Sequence, residues 1–113
     1  MNYYLHVTSQ AELELYEVAI WWADHRSLEQ ALRWLEGFEA AIDKLPNSPE
    51  SYPVARENDA FEYTLRELHN GLGSKPTHRA LFRIRGDQVI VTGIRHLAQR
   101  DVTPEDFRSE EHT

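Results

Sequence analysis

Arg66, Arg79, Arg83, Arg95, His96 and Arg100 are the side chains in this sequence best suited to chemistry. Arginine stays protonated and grips a phosphate through two parallel N–H donors. Histidine titrates near neutrality and can take or give a proton. Together they match one demanding reaction, cleavage of RNA without a metal. That reaction needs a base for the 2′-hydroxyl, a cation for the charge that develops on phosphorus, and an acid for the leaving 5′-oxygen. Glu67 is a further candidate base, and Tyr63 and His78 form a second rank. Each residue also has a plainer reading. Arg83 and Arg85 suit a solvated turn, Arg66 can pair with Glu67 or Glu62, and His96 can be a hydrogen-bonded residue at a strand end.

Most of these residues sit in one stretch, from His78 to His96, that reads as a β-hairpin around Gly86-Asp87. A glycine first in a two-residue loop suits a type II′ turn, because it reaches positive φ without a steric penalty. That loop sets a register in which Arg85 opposes Gln88, Ile84 opposes Val89, Phe82 opposes Val91 and Ala80 opposes Gly93. Cross-strand partners share a face. One face then carries Ala80, Phe82, Ile84, Val89 and Val91, an apolar core face. The other carries Arg79, Leu81, Arg83, Arg85, Ile90, Thr92, Ile94 and His96, and brings Arg79 close to His96 at the end away from the turn. Leu81, Ile90 and Ile94 would lie on this second face, uncovered, as a surface for a protein partner.

The rest of the chain supplies the support. Tyr3 to Thr8 alternates and is rich in strand formers. Ser9-Gln10-Ala11-Glu12 reads as a capping box with Ser9 as the cap, opening a helix to about His25 with Ala11, Leu15, Val18, Ala19 and Trp22 on its inner stripe. Ser27 to Gln30 is a second capping box. Leu28, Leu32, Leu35, Phe38, Ile42 and Leu45 continue at helical spacing to a stop at Pro46. So short a link makes the two helices an antiparallel hairpin. Trp21 and Trp34 fall off the expected stripes and are expected to be partly exposed. Residues 46–60 hold three prolines and read as a loop, Phe61 to Leu68 as a strand, and Asn70 to Pro76 as a flexible connection. Thr103-Pro104-Glu105-Asp106 has a cap followed by proline, the start of a short helix or turn. The order strand, helix, helix, then three strands predicts an α+β fold. It is a small, mostly antiparallel sheet of one N-terminal and three C-terminal strands, with the helical hairpin on one face.

Composition narrows the function. At 113 residues the chain is expected to be a single domain, residues 1–113, with a core large enough to need no staples. It has no cysteine, which suits a cytoplasmic setting, and neither a signal peptide nor a membrane span is expected. The net charge of −7 is uneven: residues 1–55 carry three basic and nine acidic groups, residues 56–100 eight basic and five acidic. An anionic protein is a poor nonspecific nucleic-acid binder, although the basic segment can form a local patch. His6, His25, His69, His78, His96 and His112 are scattered without metal-ligand spacing, and no phosphate-binding glycine loop or nucleophile elbow is present, so neither metal nor cofactor is expected.

The hairpin, read as Arg-x-x-Phe-x-Ile-x-Gly-Asp-x-Val-x-Val-x-x-Ile-x-His, resembles the closing hairpin of the RelE/ParE toxin superfamily of type II toxin–antitoxin systems. The likeness extends to Tyr4 through Ser9 with Ala11 and Leu13, to Ala31 through Pro46, and to Leu65-Arg66-Glu67-Leu68, covering most of residues 3–101. It implies a growth-inhibiting cytoplasmic toxin, of a kind linked to plasmid stabilisation, held inactive by a cognate antitoxin. A homodimer, or a heterotetramer with the antitoxin, is then expected. RelE-like members cleave messenger RNA on the ribosome, with Arg79, Arg95, His96, Arg100 and Arg66 as the implied catalytic set; ParE-like members inhibit DNA gyrase without chemistry of their own. A degenerate toxin that only binds antitoxin is a third possibility. The chain departs from the nuclease pattern in having Lys75 in place of a lysine cluster and Phe107 where a tyrosine is often found.

Overall fold

The computed structural model describes residues 2–107; His112 lies outside them. Strand β1 (Tyr4–Val7) leads into helix α1 (Ser9–His25), helix α2 (Leu28–Asp43), and then strands β2 (Arg66–Asn70), β3 (His78–Arg85) and β4 (Gln88–His96). The sheet order is β1-β4-β3-β2. β1 runs parallel to β4, and the other neighbours are antiparallel. This is the expected α+β architecture, with the helices packed on the sheet.

Local chemistry accounts for the helix ends. Thr8, rather than Ser9, caps α1: its hydroxyl accepts the Ala11 N–H at 3.1 Å. Thr8 is still held extended by its own N–H bond to the Val91 carbonyl, so it has the non-helical backbone that a cap needs. Ser27 caps α2 as expected. The inner stripe of α2, however, is Ala31, Trp34, Phe38 and Ile42, continued by Leu45. Leu28 and Leu32 face outward, and Trp34 is buried against Phe38 and His78. Both stripes have helical spacing. Rolling the helix toward Trp34 buries the larger apolar area, and area decides.

Between α2 and β2 the chain makes short 3-10 turns at Leu45–Asn47, Pro49–Ser51 and Asn58–Ala60. The second strand, β2, starts later than the Phe61 to Leu68 expectation. Phe61 and Leu65 are instead drawn into a hydrophobic cluster, and the Leu65 N–H is taken by the Asn58 side chain at 2.8 Å.

The hairpin turn has Gly86 at φ 60, with no other positive φ, the sign pattern of type II′. From Arg85↔Gln88 to Phe82↔Val91 the register is as expected. Beyond it a β-bulge intervenes. Leu81 pairs with Gly93, Ala80 with Ile94, Arg79 with Arg95 and His78 with His96, leaving Thr92 as the extra residue. A slip of one residue moves every later side chain to the opposite face. Ile94 therefore joins Ala80, Phe82, Val89 and Val91 under the helices. Arg95 goes to the other face with Arg79, and His96 lies beside His78, their ring centroids 5.0 Å apart.

The second face is not bare. Residues 53–65 and 99–107 fold across it, enclosing Ala55, Phe61, Leu65, Leu81, Val102 and Phe107 in a second hydrophobic cluster. Leu81, Ile90 and Ile94 are all buried, so the exposed apolar surface expected there is filled from within the chain.

Candidate functional site

Arg79 is fully enclosed, at 0 % exposure. β3 points it into the second face, where Glu57 from the loop receives it in a two-pronged ion pair, through Nη1 to Oε1 at 2.8 Å and through Nη2 to Oε2. Glu67 on neighbouring β2 adds a longer contact at 3.5 Å and is itself bonded to His69. Glu57 Oε2 also accepts the Val102 N–H at 2.9 Å. Burial alone would raise the Glu57 carboxyl. The Arg79 hydrogen bonds, the Val102 N–H and the guanidinium charge outweigh it and hold Glu57 at about 2. One guanidinium thus ties together β3, β2, the loop and the segment after β4. Nothing at short range in the sequence announces Glu57, which lies 22 positions from Arg79.

The remaining expected site residues are dispersed. Arg66 donates to the Tyr52 carbonyl at 2.7 Å. Arg95 is buried within 3.8 Å of Asp106, its Nε without a partner among the described residues. Arg100 makes a bidentate pair with Asp106 at 2.8 and 3.1 Å. That hydrogen-bonded pairing, reinforced by the Thr103 N–H, holds Asp106 at about 2. Arg83 lies over the Tyr63 ring, 3.8 Å from its centroid. The proximity of Arg79 to His96 is overturned: the bulge pairs Arg79 with Arg95 and puts His96 on the helix side. Gly93 was the available signal, since glycine within a strand often marks a bulge. At this position it also admits Phe107, whose ring lies 2.6 Å from where a Cβ would stand.

His96 lines a cavity of about 570 Å³ between α1 and the far end of the hairpin, with Glu14, Glu17, Val18, Trp21, Trp22, Thr77, His78, Ile94 and Gln99. His96 Nδ1 accepts the Ala98 N–H at 3.0 Å. Burial, with the neighbouring His96 adding to it, lowers His78 to about 4, leaving it neutral near neutrality. Two imidazoles do meet, but among the described residues they lie beside two carboxylates and no arginine or lysine, a poor setting for phosphate.

A helical hairpin on a four-stranded mixed sheet, with its basic hairpin tied down by internal carboxylates, defines a small α+β domain whose cations are largely committed to its own structure. The family model described as the ParE toxin of type II toxin–antitoxin systems, parDE, matches residues 5–100, and the chain belongs to that family. A chain from a solved structure of the chromosomal ParDE system of P. aeruginosa shares the fold, with a TM-score of 0.67 at 17 % identity; the match covers 83 % of this chain and 95 % of that one. No curated protein matches. Among the described residues no helix is long and apolar enough to cross a membrane, and no group of three metal-ligating side chains converges.

Proposed function

We propose that this toxin acts by binding rather than by cutting RNA, with DNA gyrase as its target in the cytoplasm and a cognate antitoxin as its inhibitor. The observation that carries this reading is the enclosure of Arg79 by Glu57 and Glu67. A catalytic arginine must meet the phosphate, and here a phosphate would have to displace two carboxylates from a buried cation. Removing either partner of such a pair is costly, because the remaining charge is left in low dielectric. Arg66, Arg95 and Arg100 are likewise turned to acceptors within the protein, and His96 shares its cavity with Glu14 and Glu17. Family membership supports gyrase over the ribosome as the target.

With Leu81, Ile90 and Ile94 buried, the apolar surface open to an antitoxin lies on the helices. Leu13, Tyr16 and Ile20 form an outward stripe on α1, and Leu28 and Leu32 stand out on α2. Such side chains at three- and four-residue spacing fit an amphipathic partner segment. Light scattering on the chain with and without antitoxin would report whether the stripe otherwise joins two copies.

Purified toxin should block gyrase supercoiling at near-stoichiometric amounts and leave ribosome-bound messenger RNA uncut. Messenger RNA cleavage with supercoiling untouched would favour the endoribonuclease reading. In that case Arg79→Ala and His96→Gln, compared at matched thermal stability, would be the variants to assay.

A further inference from the structure

We infer that the cavity between α1 and the β3–β4 end is a receptor for a basic side chain, arginine above all, presented by a protein partner's peptide segment. Glu14, Glu17, Val18, Trp21 and Trp22 recur at the three- and four-residue spacing that gathers side chains on one flank of a helix. They face Thr77, His78, Ile94, His96 and Gln99 across the cavity. At about 570 Å³ it falls in the usual size range of ligand pockets and far exceeds a single ion. Among the described residues its lining holds two carboxylates and no lysine or arginine, so the charge it offers is negative.

The two carboxylates differ in their freedom. Glu14 is held in place: Oε1 accepts the Ile94 N–H at 2.9 Å and Oε2 lies 3.4 Å from Gln10 Nε2. Glu17 is exposed and makes no hydrogen bond or ion pair among the described residues, which leaves it for a ligand. Trp21 and Trp22 stand edge to face, centroids 5.5 Å apart. One face of Trp21 is stacked on His25, centroids 4.7 Å apart, and the rest of this half-exposed indole offers a surface that attracts a flat cation. Guanidinium suits both elements, since it donates to carboxylates in pairs and stacks on aromatic rings.

One observation points to a polypeptide as the bearer of that cation. On α1, Glu17 and half-exposed Trp21 border the outward stripe of Leu13, Tyr16 and Ile20, on which neighbouring apolar residues of a segment could lie.

The test is titration of the full chain, followed by tryptophan fluorescence and amide NMR shifts, with a blocked Leu-Arg-Leu peptide. The controls are its citrulline counterpart, which keeps the shape and loses the charge, and methylguanidinium alone. The arginine peptide should bind best, shift residues 14–22 and 77–78, and weaken as salt rises. Glu17→Gln should weaken it roughly fivefold, the scale of a partly exposed ion pair, and Trp21→Ala should weaken it further, both with an unchanged melting temperature. Equal binding of the citrulline peptide, or indifference to both substitutions, overturns the proposal. Methylguanidinium binding as tightly as the peptide overturns its polypeptide part. Because the readout is binding of a synthetic peptide, it stands apart from the gyrase reading.

Discussion

The two faces of the sheet are closed by different physics. Under the helices, Trp34, Phe38, Ile42, Phe82, Val89 and Val91 make an apolar core. Across the sheet, a smaller apolar cluster is joined to a buried ion pair, Arg79 with Glu57, that spans four segments of chain. Helices bring regular apolar stripes, so the first face is closed by area alone. Irregular loops bring few such stripes, and a directional polar contact sets how they lie. The first face should therefore fail with lost volume and the second with lost charge.

The largest expected effect is on the first face. Trp34→Ala should cost about 4 kcal/mol of unfolding free energy in urea denaturation, as for other large-to-small core changes. A loss under about 1 kcal/mol would mean that the helices do not depend on this ring. Next comes Glu57→Gln, which strands the Arg79 cation and should cost about 3 kcal/mol. Replacing both partners by apolar residues, Glu57→Leu with Arg79→Met, should recover much of that loss. If the double variant is as unstable as the single one, the pair's geometry rather than its charge balance holds the loops.

Acid separates the faces by pH. His78, under the helices, sits at about 4 against an ordinary 6.5, so the unfolded chain takes up this proton at higher pH than the folded one. Stability falls as pH drops from about 6.5 to about 4. Glu57 sits at about 2 against 4.5, and its contribution, full above about 4.5, is lost as pH falls toward 2. Denaturation midpoints across this range should show both declines. Glu57→Gln should shrink the lower one, with Asp106 supplying what remains, and leave the upper one in place.

Gly93→Ala tests the bulge where the faces exchange residues. An added Cβ meets the Phe107 ring at 2.6 Å, and overpacking of this kind costs about 1–2 kcal/mol. Pairing it with Phe107→Leu should restore part of the loss. The smallest effect belongs to Arg100→Ala. Arg100 itself is exposed, and Asp106 keeps the Thr103 N–H and the nearby Arg95 guanidinium, so at ordinary salt the midpoint should move less than for any variant above.

Sequence alone determined the helices, the hairpin and the α+β order, because each rests on short-range rules. Ser27 caps the residue three along, Pro46 limits α2, and Gly86 supplies the turn's positive φ. The family was legible in the same residues, taken in order. The site was legible only as residue types. Arg79 and His96 are rightly singled out as chemically able, yet the bulge at Thr92 puts them on opposite faces, and a change of one residue in register is invisible to a pattern of period two. Tertiary structure decided the rest. Glu57 found Arg79 across 22 residues, α2 rolled to bury Trp34 in place of Leu28 and Leu32, and Glu14 and Glu17 came to face His78 and His96. These outcomes depend on which distant groups compete for the same volume and charge, and that competition exists only once the chain has closed on itself.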